Sequence, residues 1–199
     1  ISLLNYLIIF LEIFFLQERV GKDNKRFMLF KFATMLKNSP HTGTGTITVK
    51  NDPRVLPVGK ILRKSKINEL PQLINIFKGD MSIIGPRPLT SEAFSLYSTS
   101  TQEAIKKVRP GLSGIGSIIF RDEEELMDGN NVPVDFYENV IAPYKGQLEE
   151  WFIKNRGLSL YFLSILITAW TILFPSSNIA WKLLRNAPKP PERLSNLLK

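Results

Sequence analysis

The chain has 199 residues, 44% of them hydrophobic, enough for one domain with a modest core and too few for two full ones. Its 26 Lys and Arg outnumber 18 acidic residues, a formal net charge of +8 that points to an anionic partner: nucleic acid, a lipid surface or a phosphorylated substrate. There is no cysteine and one histidine, His41, which excludes disulfides and thiolate zinc sites and disfavours multi-histidine metal sites and Ser-His triads, so the chemistry falls to carboxylates, amides, hydroxyls and cations.

Residues 3–16 form an apolar run holding Asn5 and Glu12 and leading into Gln17-Glu18-Arg19. The run is shorter than the ~20 residues of an ordinary membrane span and suits a re-entrant or interfacial segment at least as well as a core helix. Residues 27–35 are aromatic-rich and partly alternating, residues 46–50 read as a second strand with four β-branched residues before Lys50, and residues 38–45 between them are rich in Gly, Pro, Ser and Thr; a hairpin with a long loop is expected. Asn68 is expected to cap a helix whose Leu70, Leu73, Ile74 and Phe77 share one apolar face, with Pro71 in its first turn and Lys78-Gly79 at its end. Ser100 to Glu103 has capping-box spacing for a helix that stops at Pro110, and residues 111–117 read as a glycine-rich loop. One or two helices are expected over residues 135–151, broken near Pro143 and Gly146. Residues 157–174 carry no charge; with Arg156, Lys182 and Arg185 flanking and Trp170 and Trp181 available for an interface, lodging in the membrane surface is favoured over a crossing, and a buried core helix is the alternative. Residues 186–191 read as an extended connector.

The chemistry concentrates in residues 63–88. Arg63, Lys64 and Lys66 precede a helix start that carries Glu69, an arrangement that suits phosphate and, once phosphate charge is neutralised, a divalent cation or attack on phosphorus; an ordinary helix cap with Glu69 complementing the dipole is the plainer reading. Arg87 stands between Pro86 and Pro88, which stiffen its backbone and reduce the entropy lost when its guanidinium grips phosphate. The acidic stretch from Asp122 to Glu125, with Asp128, lacks calcium-loop spacing and reads as a solvated face.

The sequence resembles the bacterial sugar transferases, the monotopic phosphoglycosyl transferases that start glycan assembly on undecaprenyl phosphate. The resemblance is carried by Gln17-Glu18-Arg19-Val20-Gly21, Lys31-Phe32-Ala33, Asn51-Asp52-Pro53-Arg54, Asn68-Glu69-Leu70-Pro71-Gln72-Leu73, Lys78-Gly79-Asp80-Met81-Ser82, Gly85-Pro86-Arg87-Pro88 and Arg109-Pro110-Gly111-Leu112-Ser113-Gly114, in the family's order. It implies an α+β fold, mostly helical around a β-hairpin: residues 1–18 as the later part of a membrane-inserted helix, residues 19–156 as a catalytic domain, residues 157–175 as an apolar membrane-associated helix and residues 176–199 as a tail. It further implies a nucleotide-sugar donor, usually a UDP-sugar, undecaprenyl phosphate as acceptor, Mg2+, and a place on the cytoplasmic face of the bacterial inner membrane. The catalytic pair it implies falls on Asn68 and Glu69, with Glu69 associated with the metal and Lys31, Arg63, Lys64, Arg87 and Arg109 as phosphate or donor ligands. Nucleic acid is disfavoured, because no aromatic-basic recognition motif accompanies the apolar segments.

The chain departs from the family at two positions that matter. An aspartate nucleophile is usual where Asn68 stands, and an arginine where Ala33 stands. Three routes stay open: Glu69 binds the metal or attacks phosphorus while Asn68 orients a phosphate oxygen; the lipid phosphate takes the sugar phosphate directly; or Asn68 was introduced in place of the aspartate to silence the enzyme. The competing function is a catalytically impaired, membrane-bound binding or scaffolding protein.

Overall fold

The computed structural model describes residues 13–43, 48–121, 123, 136–195 and 198. The chain begins there with an antiparallel hairpin of β1 (Phe14–Val20) and β2 (Arg26–Phe32), in register from Phe14 opposite Phe32 to Val20 opposite Arg26. Aromatic and branched side chains favour this pleated surface, and the Phe14 and Phe32 rings stack 5.4 Å apart at its open end. The turn is closed by Asp23 and Asn24 in the left-handed region, φ 54° and 61°, where Asp and Asn are tolerated best among residues with a Cβ. The expected hairpin therefore exists, but the partner of residues 26–32 lies upstream rather than at residues 46–50, of which residues 46–47 lie outside the described residues. By the same token the membrane helix expected to reach residue 18 gives way to β1 from Phe14; most of that expectation, residues 1–12, lies outside the described residues.

Next comes a stapled loop. Asp52 and Arg54 are both buried, with Arg54 Nη2 2.6 Å from Asp52 Oδ2 and Nε 2.9 Å from Oδ1. Arg54 Nη1 also donates to the carbonyls of Ser39 and Thr42, each at 2.7 Å, so one guanidinium closes the loop over residues 39–54. Helix α1 (Pro57–Lys64) follows, then Lys66 in the left-handed region, φ 59°, a conformation that costs a residue with a Cβ roughly 1–2 kcal/mol. That reversal throws the chain into the short 3-10 turn Ile67–Glu69. Asn68 is buried inside this turn and caps nothing; α2 (Gln72–Lys78) starts three residues later with Pro71 at its N-cap position.

The face of α2 is also reversed. Leu70, Leu73, Ile74 and Phe77 point outward, Phe77 91% exposed, while Gln72 and Asn75 are buried. Asn75 Nδ2 donates to the Met28 carbonyl at 2.8 Å and its Oδ1 accepts from the Phe30 N–H at 3.1 Å, binding α2 to β2. Periodicity finds the two faces of a helix but does not say which one the rest of the protein covers.

Strand β3 (Ser82–Ile84) pairs in parallel with β4 (Gly111–Ser113), Ser82 opposite Gly111 and Ile84 opposite Ser113. The expected glycine-rich loop is thus a strand, and its glycines permit backbone contact: a Cβ on Gly111 would lie 2.1 Å from the Gly85 nitrogen. Between the strands lie α3 (Ser91–Ser95), capped by Thr90, and α4 (Thr99–Lys106), capped by Ser98, whose hydroxyl accepts from the Thr101 N–H at 3.2 Å. The cap is two residues earlier than the expected box because Glu103 faces solvent and pairs with Lys106 instead.

After β4 come α5 (Ile115–Ile119), a wide π turn at Tyr137–Ile141, and α6 (Ala142–Asn155). Pro143 sits in the first turn of α6, where its missing N–H costs nothing, so no break occurs there or at Gly146. Helix α7 (Leu158–Leu173) packs on α5 and on the β3–β4 pair, and α8 (Ile179–Leu183) and α9 (Glu192–Ser195) complete the fold around the segment at 186–191. The core lies between α5, α6, α7 and the tail, where Ile115, Ile141, Leu148 and Leu194 are wholly buried. Helix α7 is divided: Ile167 lies in the core with Leu160, Tyr161, Leu163 and Ile165 packed against it. Ser164 and Thr171 are buried and Thr168 bonds Ser113 at 2.8 Å, while Leu158, Phe162, Leu166 and Leu173 face outward. Among the described residues no helix is long and apolar enough to cross a membrane.

Candidate active site

Three stretches far apart in sequence meet at Glu69. Strand β2 supplies Lys31, whose Nζ lies 3.7 Å from Glu69 Oε1; the turn after β3 supplies Arg87, whose Nη2 lies 3.6 Å from the same oxygen. Strand β1 supplies Arg19, which donates from Nη1 to the Pro88 carbonyl at 3.3 Å, while the Val20 N–H donates to the Leu89 carbonyl at 2.9 Å. Arg19 also bonds Gln17. The hairpin end therefore clamps the Pro86-Arg87-Pro88 turn. A small recess lies here, lined by Arg19, Leu29, Lys31, Gln72, Arg87 and Leu112, among others.

The electrostatics of the cluster are one-sided. Burial would raise the Glu69 carboxyl, but the charges of Lys31, Arg87 and Lys66 outweigh it and hold the group down at about 2. Glu69 is therefore ionised at any physiological pH. Lys31 feels the opposite balance: burial, with Arg87, Arg19 and Arg63 behind it, brings the ammonium down to about 8 despite Glu69. Burial and the neighbouring Arg87 lower Arg19 to about 10. A single carboxylate thus faces several crowded cations, and such a surplus of positive charge in a partly enclosed site is complementary to a phosphate or diphosphate.

Of the residues singled out from sequence, the structure brings Lys31, Glu69 and Arg87 into contact. Arg63 stands beside them, donating to Thr34 Oγ1 at 3.3 Å. Asn68 is buried next to Glu69, and its Oδ1 has no hydrogen-bond partner among the described residues. Lys64 and Arg109 are exposed and form no ion pair among the described residues, although the Arg109 carbonyl abuts Gly85. Glu123, from the acidic stretch read as a solvated face, instead pairs with the buried Lys145 at 2.6 Å; the rest of that stretch, residue 122 and residues 124–128, lies outside the described residues.

Sequence reasoning missed Arg19, Gln72 and Glu149. The first two lie within quoted motifs, so a signal was present. Glu149 lies on α6 with Leu148 and Phe152, and nothing in its neighbourhood marks it as different from the exposed acids of a helix. It is buried, 2% exposed, and its Oε1 accepts from the Arg87 backbone N–H at 3.5 Å. Burial pushes its carboxyl up to about 7.

Residues 2–175 match the family model described as bacterial sugar transferase. Over 164 residues the chain is 36% identical to the UDP-N-acetylgalactosamine-undecaprenyl-phosphate N-acetylgalactosaminephosphotransferase of Aeromonas hydrophila, covering 81% of this chain and 35% of that one. Over 155 residues it is 30% identical to the undecaprenyl-phosphate galactose phosphotransferase of Salmonella typhimurium, covering 71% and 29%. Over 126 residues it is 35% identical to the exopolysaccharide production protein ExoY of Sinorhizobium fredii, covering 56% and 55%. The chain therefore spans between 29% and 55% of the length of these relatives.

Proposed function

Because the chain belongs to the bacterial sugar transferase family, we propose that it moves a sugar phosphate from a nucleotide-sugar, a UDP-sugar, to undecaprenyl phosphate in surface polysaccharide synthesis. The observation that carries this reading is the ionised Glu69 held between Lys31 and Arg87 at 3.7 and 3.6 Å, with Arg19, Arg63 and Lys66 around them. In that setting Lys31, Arg87 and the neighbouring cations bind the donor diphosphate, Lys64 and Arg109 extend the contact outward, and Asn68 orients a phosphate oxygen through its amide.

Both ion pairs run to one Glu69 oxygen, and the buried Asn68 Oδ1 beside it lacks a partner among the described residues. A carboxylate oxygen and an amide oxygen suit a hard cation, since magnesium is usually held by one or two carboxylates with substrate phosphates and water. Magnesium would be held by Glu69 and Asn68 and would supply charge neutralisation at the diphosphate. The surrounding cations make that site attractive only together with the donor. Glu69 would be occupied by the metal and Asn68 offers no nucleophile, so in this reading the lipid phosphate itself attacks. A lipid phosphate oxygen bonds to the sugar-linked phosphorus, the bond from that phosphorus to the bridging oxygen breaks, and the bridging oxygen leaves on UMP.

Membrane association is supported by the exposed apolar side chains of two helices. Helix α2 turns Leu73, Ile74 and Phe77 outward while burying amides, and α7, although it sends Ile167 into the core, leaves Leu158, Phe162, Leu166 and Leu173 outside, where a helix facing water would carry polar groups. A position on the cytoplasmic face of the inner membrane follows from the nucleotide-sugar donor. UMP release is expected only when a UDP-sugar, undecaprenyl phosphate and Mg2+ are supplied together in lipid vesicles; intact-mass detection of a phosphosugar adduct on the protein would overturn direct transfer. UDP and lipid binding without release from any UDP-sugar would favour the binding-protein alternative.

The titration of Lys31 gives this reading a pH signature. Donor binding needs the ammonium form, which is lost in the free protein as pH rises through about 8. UDP affinity is expected to fall roughly tenfold from pH 7 to pH 9 by proton linkage, and calorimetric titrations showing the same affinity at both would refute a role for Lys31 in binding the diphosphate.

A further inference from the structure

The Pro86-Arg87-Pro88 turn has a single N–H, that of Arg87, because proline has none. The acceptor for that N–H is Glu149 Oε1 on α6, at 3.5 Å. We infer that Glu149 is a positioning residue for donor binding: from behind the site its carboxyl fixes the turn, and so aims the Arg87 guanidinium at the phosphates. The inference rests on the reading of Arg87 as a donor ligand.

The surroundings of Glu149 are those of a group held in place rather than one neutralised. Its residue is 2% exposed, and its Oε2 is buried without a hydrogen-bond partner among the described residues. The nearby Lys145 already spends its ammonium on Glu123 at 2.6 Å and over the Phe120 ring at 5.0 Å. On the other side α5 presses directly on the carboxyl: a Cβ on Gly116 would lie 2.5 Å from Glu149 Oε1. A Cβ at position 116 would therefore have to push this carboxyl aside. Burial raises the carboxyl to about 7, so the folded protein carries the group at a cost in stability above the ordinary Glu value of 4.5. A buried acid that lowers stability yet touches the backbone of a substrate-facing arginine is better explained by the arginine's placement than by packing.

Three variants of the full chain test this. Glu149→Leu keeps the bulk and removes the acceptor, Gly116→Ala displaces the carboxyl without changing its charge, and Glu149→Gln keeps an acceptor. UDP binding by calorimetry and UMP release against UDP-sugar concentration are the readouts. Glu149→Leu and Gly116→Ala are expected to raise the UDP Kd and the donor KM by about tenfold with kcat within about threefold, while Glu149→Gln stays within about threefold of the wild type in all three. The Leu variant is also expected to melt at a higher temperature at pH 8, which a residue serving only the fold would not do. UDP bound by the Leu variant as tightly as by the wild type overturns the inference alone, as does failure of Gln to restore affinity. No UDP binding by the wild-type chain overturns the reading of the site, and the inference with it.

Discussion

Glu69→Gln is expected to lower the maximal rate of UMP release on the order of 10³-fold while leaving UDP binding intact or several-fold tighter. Among the described residues Glu69 is the one carboxylate ion-paired with both Lys31 and Arg87, and its amide replacement removes the charged group proposed to hold magnesium at the reacting phosphate. The same change frees both cations from an internal competitor, and the phosphates of the donor inherit them. The split between rate and affinity matters: a variant that merely unfolded the turn would lose both. Steady-state UMP release beside calorimetry with UDP measures the two quantities, and a variant retaining more than a tenth of the wild-type rate would remove Glu69 from the chemistry.

Arg54→Ala is expected to have the largest effect on stability, about 3–5 kcal/mol, because it leaves the buried Asp52 carboxylate unpaired. It also strips the Ser39 and Thr42 carbonyls of their shared donor. Hydrogen bonding to Arg54 is the main cause that holds Asp52 at about 2, below the ordinary 3.8 and against the upward pull of burial. The unfolded chain therefore binds a proton before the folded one does as pH falls. The stabilisation by the pair is complete above about pH 4 and disappears as pH drops through 2, so the gap between wild type and Arg54→Ala narrows on acidification. Urea unfolding at pH 7 and pH 3 checks both parts, and a loss under 1 kcal/mol at pH 7 would show that the pair does not hold the loop.

Glu69 and Arg87 of the candidate site were legible from their own surroundings, an acid after three cations and an arginine between two prolines, whereas Lys31 was reached only through the family resemblance. The fold was legible less evenly. The strand at residues 26–32 announced itself by its aromatics, but pairing is a long-range choice, and TITVK at residues 46–50 has the composition of a strand without being its partner. The strand that does pair, FFLQERV, was hidden at the end of a longer apolar run. In α2 the apolar stripe was found and the side it faces was not, since a stripe is the same whether protein or lipid covers it; residues 157–174 were read only as an uncharged run. Glu149 could not be read at all, because its burial is created by α5 and the turn at Arg87, neither of which is near it in sequence.

Asn75 has a consequence for how the site works. Its wholly buried amide bolts α2 to β2 through Met28 and Phe30, and so sets how far apart Lys31 and Glu69 stand. The two ion pairs at Glu69 are longer than hydrogen bonds and contribute little to that spacing. Lys31 and Arg87 can accordingly release the acid and swing to an arriving phosphate while the scaffold beneath them stays still, so that exchanging one anion for another requires no refolding.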